Sequence, residues 1–114
     1  MPEIGRFTRD GDTFAGSIKT LTLSRRIVIV PAQPSDAENA PDYRVHASDD
    51  DRMEPGAEIG AAWNHTGERA GDYLALEIDD PALVEPIRAN LFHDHARNDW
   101  PLRWSRPRDH AGRD

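Results

Sequence analysis

The chain contains no cysteine, and this excludes disulfide bonds, thiolate zinc sites and cysteine nucleophiles. Apolar residues make up only 37% of its 114 residues and aromatic residues 7%, so we expect one small core with long polar loops. The sequence has no apolar run of about 18 residues and no basic start followed by an apolar stretch. We therefore expect a cytoplasmic protein without a membrane span or secretory signal.

The chain also lacks the local patterns that accompany catalysis. It has no glycine-rich phosphate loop, no serine elbow and no triad spacing typical of hydrolases. The adjacent carboxylates Asp79 and Asp80 diverge if they end a strand, which argues against a catalytic pair. We accordingly predict a non-enzymatic protein with no catalytic residue and no cofactor.

Charge is plentiful but unevenly distributed. The formal net charge is -7, with acidic residues crowded between positions 36 and 80, including the triplet 49–51. Basic residues concentrate before this region and again after position 96. An acidic protein repels nucleic acid at long range, although a local arginine face binds it at low salt.

The stretch 58–80 has the pattern of a β-hairpin. Leu74, Leu76 and Ile78 alternate with polar residues, and residues 66–71 have the glycine and polar content of a hairpin loop. In the first strand of this hairpin, alternation predicts that Ile59, Ala61 and Trp63 share the apolar face.

Similar alternation elsewhere predicts the fold class. Four β-branched residues at 27–30 favour a strand buried on both faces, and turn residues recur at intervals of about 8–12 residues. We predict a single all-β domain over residues 1–107, with seven or eight short antiparallel strands in a sandwich or small open barrel. The same pattern predicts at most one short helical turn at residues 81–84, a polar loop at about 31–42 and a flexible tail at 108–114.

Several segments together resemble a known family. They are Ile4-Gly5, Phe14 to Leu23, Asn39 to Val45, Ile59 to Trp63, Asp72-Tyr73-Leu74, Asp79-Asp80-Pro81, Pro86 to Leu91, and Trp104 to Pro107. In this order they are similar to the bacterial family catalogued as domain of unknown function 736. The resemblance implies a small cytoplasmic protein, often encoded on plasmids and other mobile elements, with no catalytic residues to transfer.

His93 and His95 are the metal candidate, because alternate residues of an extended segment point the same way and two imidazoles can share a cation. Asp99 or His46 would supply a third ligand. The alternative interpretation is a polar turn. In relatives, the segments that correspond to residues 93–95 and to the loop 66–71 have different residues. A function of either loop would therefore be particular to this chain.

A surface is the second candidate. Lys19, Arg44, Tyr73, Arg88 and Arg103 all occupy predicted outward positions, and basic and aromatic residues together on a sheet bind single-stranded nucleic acid. The same residue types dominate protein interfaces. We predict a binding module that contacts nucleic acid or a nucleic-acid-handling protein, with solvated arginines as the alternative interpretation.

Two further partners stay open. The acidic region 36–80 would suit a basic groove on another protein, as an interaction module or a nucleic-acid mimic. Exposed strand edges would allow two copies of the chain to pair as a homodimer.

Overall fold

The computed structural model describes residues 2–49, 54–68 and 71–106 and contains eight β-strands. They are β1 (Glu3–Asp10), β2 (Thr13–Lys19), β3 (Ser24–Pro31), β4 (Tyr43–Ser48), β5 (Glu58–Gly67), β6 (Gly71–Ile78), β7 (Ile87–Phe92) and β8 (Trp100–Trp104). Each strand pairs antiparallel with the next, and β8 pairs with β1, so the sheet closes into an up-and-down barrel.

The predicted all-β domain of seven or eight antiparallel strands is confirmed. The sheet closes completely, whereas the sequence favoured a sandwich or an open barrel without deciding between them. At residues 81–84 there is a turn, in which the backbone N–H of Leu83 donates to the Asp80 carbonyl oxygen at 2.8 Å. The predicted tail at 108–114 lies outside the described residues, as do Asp50 and Asp51 of the acidic triplet.

The barrel interior follows the two-residue period of the strands. Its buried apolar residues are Phe7, Phe14, Ile18, Ile27, Ile29, Val45, Ala62, Leu74, Leu76, Ile78, Ala89, Leu91 and Leu102. The inward positions predicted for Leu74, Leu76 and Ile78 of β6 are confirmed. Alternation on a closed sheet therefore supplies the core of this protein.

β3 is buried on both faces at its centre, as its β-branched residues predict. Ile27 and Ile29 enter the core, while Val28 is 1% exposed on the opposite face. In the sheet register Val28 lies beside His46, whose Nδ1 is 3.0 Å from the carbonyl oxygen of Gly56. The segment before β5 therefore packs against the outside of the barrel at this point.

The predicted inward face of β5 is wrong for two of its three residues. Ala62 is fully buried, whereas Ala61 and Trp63 lie on the outside. Trp63 is held there by a hydrogen bond of 2.9 Å from its Nε1–H to the carbonyl oxygen of Asn39. Ile59 still packs against the core, because a register shift between β4 and β5 interrupts the alternation below Gly60.

The barrel has two ends that differ in chemistry. We define the upper end by Asp10, Tyr43, Phe92 and Trp100, and the lower end by the opposite termini of the same strands. The polar loop 32–42 and the loop 93–99 lie at the upper end. Apolar side chains including Leu23, Ile59 and Leu83 line a cavity of about 250 Å³ at the lower end.

All eight described strands have a neighbour on both sides. Such a barrel offers no free edge, so the edge pairing considered for a homodimer has no described strand to use. A dimer through another surface stays a prediction. Within the described ranges, no helix is long and apolar enough to cross a membrane.

Candidate functional site

The five residues predicted to form a binding surface lie on five strands. Tyr73, Arg88 and Arg103 occupy the adjacent strands β6, β7 and β8. Arg44 lies on β4 and Lys19 on β2. Strands four apart in a closed eight-stranded barrel are on opposite sides, so Lys19 lies across the barrel from Tyr73, and Arg44 across from Arg103. The structure therefore brings three of the five together.

The outer surface of the strands that carry these three residues also presents aromatic side chains. We call it the β5–β8 face and define it by Trp63, His65, Tyr73, Ala75, Arg88, Asn90, Phe92 and Arg103. It spans three strand spacings, about 15 Å, and a similar length along the strands. That size suits a short stretch of an extended ligand.

Three rings form the upper row of the β5–β8 face. Tyr73 lies between His65 and Phe92 in the strand register. Its ring is stacked on His65 at a centroid distance of 5.6 Å and tilted against Phe92 at 5.2 Å. Such offset contacts stabilise ring pairs and fix their orientation. The row is therefore a preformed aromatic platform.

Below this row the surface is a shallow groove with basic residues beside it. Ala75 lies between Trp63 and Asn90, and its short side chain leaves room above the sheet. Arg103 adjoins Asn90 on β8. Arg88 donates from Nε to Glu77 at 3.0 Å, yet its side chain is 72% exposed. Arg88 is therefore accessible to a ligand in the groove, and Arg103 lies half-buried beside it.

A second polar depression opens at the upper end of the barrel. Two neighbouring cavities, of about 670 and 880 Å³, are both lined by Arg9, Asp72 and Trp100. The smaller one is also lined by Tyr43, Asn64, His65 and Tyr73. We call the two cavities together the upper mouth.

Phe14 forms the floor of the upper mouth. It is 1% exposed and makes edge contacts with Tyr43 and with Trp100, at centroid distances of 5.8 and 5.0 Å. The guanidinium carbon of Arg9 lies 5.3 Å from the Phe14 ring centroid and 5.7 Å from that of Trp100. These cation–π contacts place a positive charge at the opening.

The histidines of the predicted metal site border the upper mouth. His93 stacks on Trp100 at 4.6 Å and meets His95 edge-on at 4.1 Å. Its Nε2 lies 3.3 Å from Oδ1 of Asn98. No group of three potential metal ligands occurs within residues 2–49, 54–68 and 71–106. The two histidines are thus neighbours, and metal binding by them stays a prediction.

An ion-pair network attaches the histidine loop to β1. Arg6 donates to Oδ2 of Asp99 at 2.6 Å and to both carboxylate oxygens of Glu3. The hydrogen bonds to Asp99 and then to Glu3 raise the pKa of Arg6. Oδ2 of Asp99, considered above as a metal ligand, is therefore already paired with a cation, whereas its Oδ1 is buried with no hydrogen-bond partner in the described part of the chain.

Replacing Asp99 with asparagine is expected to lower the midpoint of thermal unfolding, because it removes a charged partner whose side chain is only 18% exposed. Glu77→Gln is the matched control, since the Arg88–Glu77 pair is 72% and 42% exposed and such pairs contribute little. Thermal unfolding followed by circular dichroism measures both. An equal effect of the two substitutions would contradict this role of Asp99.

The acidic residues of region 36–80 are divided between the two ends of the barrel. Asp36, Glu38 and Asp42 belong to the loop at the upper end, whereas Asp49 lies at the lower end, where it accepts from Arg25 at 2.5 Å. These four residues therefore do not share one face. The acidic-partner alternative stays a prediction.

The upper mouth is not apparent from the sequence. Arg9, Tyr43, Asp72 and Trp100 come from four different strands, and each lies at or next to a strand end. The one sequence feature that could have indicated it is that both β4 and β8 begin with an aromatic residue. Only closure of the sheet shows that these strand ends meet.

The chain matches a known protein family. Residues 3–107 match a family model described as "Protein of unknown function (DUF736)". The resemblance found in the sequence is thereby confirmed. Neither a curated protein nor a solved structure matches the chain.

Proposed function

Because the chain belongs to DUF736, a family of unknown function, we propose its role from its surface: a module that binds single-stranded nucleic acid through the β5–β8 face. The aromatic row His65–Tyr73–Phe92 carries this proposal. Preformed rings beside accessible arginines are the combination that holds successive bases and phosphates. The proposal includes a cytoplasmic location and service to a mobile element, as the sequence resemblance implies.

The geometry favours a single strand over a duplex. Rings stack on bases only when the bases are unpaired and splayed out. The two arginines of the face, Arg88 and Arg103, provide few phosphate contacts, and the net charge of -7 opposes a long polyanion. Stacking must therefore supply most of the affinity.

Tyr73→Ala is expected to weaken binding of a short single-stranded oligonucleotide by about 1–3 kcal/mol, because it removes the middle ring of the row. Fluorescence anisotropy with a labelled mixed-sequence strand measures this. The matched control is Lys19→Gln, which changes an exposed residue on the opposite side of the barrel. Equal losses in the two variants, or no binding by the wild type, would contradict the proposal.

The salt dependence of oligonucleotide affinity is a second test of the proposal. Two phosphate contacts predict a slope of log affinity against log salt of about -1.4, at about -0.7 for each contact with a single strand. Removing one arginine by Arg103→Gln should halve the slope. A slope unchanged by this substitution would place the phosphate contacts elsewhere.

A further inference from the structure

The upper mouth contains an arginine prepared for an anion. Arg9 donates from Nε to the carbonyl oxygen of Gly11 at 2.8 Å, and its guanidinium lies over the rings of Phe14 and Trp100. Its two terminal nitrogens make no hydrogen bond or ion pair with the described part of the chain. A guanidinium fixed in this way loses little entropy on binding a phosphate or carboxylate.

A carboxylate borders the same space without neutralising Arg9. Asp72 lines both cavities, and its Oδ1 accepts the Thr66 hydroxyl at 2.8 Å. Asp72 and Arg9 form no ion pair in the structure, so each charge is available across a shared cavity. A simple anion would satisfy only Arg9. A ligand with an anionic group and a separate N–H donor would satisfy both.

The size and rings of the upper mouth narrow the ligand class. Its cavities of about 670 and 880 Å³ lie in the range of small-molecule sites, about 300–1,000 Å³. Tyr43 is half-buried on the cavity wall, where its ring is held by the edge contact with Phe14. An aromatic base can pack against such a ring.

The surrounding charge favours a small ligand over a long strand. Asp10, Asp12, Asp42 and Asp94 all lie in strand ends or loops at the upper end. Repulsion from these carboxylates increases with the number of negative charges on the ligand. A ligand with one phosphate therefore loses much less affinity than a polyanion.

We propose that the upper mouth binds a nucleoside monophosphate. The phosphate pairs with Arg9, an N–H of the base donates to Asp72, and the base packs against Tyr43. This site is separate from the arginines of the β5–β8 face and adds a small-molecule ligand to the proposed function.

Isothermal titration calorimetry with ribonucleoside 5′-monophosphates and with inorganic phosphate tests the proposal. We expect saturable one-site binding of at least one nucleotide, and weaker binding of inorganic phosphate. Arg9→Gln should lower the nucleotide affinity by about tenfold or more, since it removes a charged hydrogen-bond donor pair. Arg9→Lys keeps the charge but loses the planar guanidinium, so its nucleotide affinity should lie between those of the wild type and Arg9→Gln. Asp72→Asn should also weaken nucleotide binding.

Arg44→Gln is the matched control, because it makes the same kind of change on β4, outside both the upper mouth and the β5–β8 face. It should leave nucleotide affinity unchanged, and thermal unfolding of each variant verifies that it is folded. The proposal is overturned by absence of saturable binding, by equally tight binding of inorganic phosphate, or by equal losses in Arg9→Gln and Arg44→Gln.

Competition with oligonucleotides distinguishes two ligands for the site, a free nucleotide and the 5′-phosphate end of a strand. Displacement of the bound nucleotide by a strand with a 5′-phosphate, but not by the same strand without it, would assign the site to a strand end. Absence of displacement by either strand would assign it to the free nucleotide. Oligonucleotide affinity of the wild type and of Phe92→Ala is measured separately, because Phe92 belongs to the β5–β8 face and lines neither cavity of the upper mouth. Failure of nucleotide binding is then distinguishable from failure of the β5–β8 proposal.

Discussion

Replacing Gly16 with valine is expected to lower the free energy of unfolding by about 3 kcal/mol, the upper part of the usual range for overpacking a core. Gly16 faces the barrel interior opposite Phe7 in the β1–β2 register. A β carbon there would lie 2.8 Å from both Cα and Cγ of Phe7 and would also meet the Arg6 carbonyl oxygen. Phe7 is 1% exposed, so its ring cannot move aside.

The sign of this effect is informative. Valine has a higher strand propensity than glycine, so propensity alone would make the variant more stable, by up to about 1 kcal/mol. Ser17→Val is the control, because Ser17 is the next residue of β2 and is exposed on the outside. Urea unfolding of both variants measures the difference. Gly16→Val at or above wild-type stability would show that Phe7 does not occupy this space.

Replacing Phe14 with alanine is expected to cost about 3–5 kcal/mol, as large-to-small changes of a buried ring do. Phe14 is almost fully buried and supports three groups of the upper mouth, Tyr43, Trp100 and Arg9. A domain of this size is stable by only about 5–15 kcal/mol, so the variant should lose much of its stability. Chemical denaturation followed by tryptophan fluorescence measures the loss.

Phe14→Leu separates the effect of losing side-chain volume from the effect of losing the aromatic ring. Leucine keeps most of the apolar volume and should cost less than half as much as alanine, while it removes the surface that Arg9 covers. If the proposed nucleotide site is correct, this stable variant should bind the nucleotide more weakly. A loss below about 1 kcal/mol in Phe14→Ala would contradict close packing at this position.

The strands and most of the core could be predicted because period-two alternation is a local property of the chain. Leu74, Leu76 and Ile78 alternate with polar residues, so their inward direction was unambiguous. In β5 the alternation does not decide which face is inward, because the consecutive residues Ala61, Ala62 and Trp63 are all apolar. The larger side chain was predicted inward, whereas the interior at this point accommodates only the alanine.

Closure of the barrel could not be predicted, and the location of the upper mouth depends on it. Outward positions look alike on every strand, so Arg44 and Lys19 were grouped with Tyr73 although they point away from it around the barrel. The upper mouth requires β1 and β8 to meet, and no local pattern contains that pairing. The turns are encoded locally, but the arrangement of the functional surfaces is not.

The order of strands around the barrel also has a consequence for how the chain folds. Seven of its eight ladders join strands that follow each other directly, through loops that range from two residues between β1 and β2 to eleven between β3 and β4. The β1–β8 ladder alone must bring together distant parts of the chain, such as Glu3 and Arg103, and so carries the largest loop-closure entropy. Arg9 on β1 and Trp100 on β8 lie on the two sides of this seam. The proposed nucleotide site is therefore complete only in chains whose β1–β8 ladder has formed.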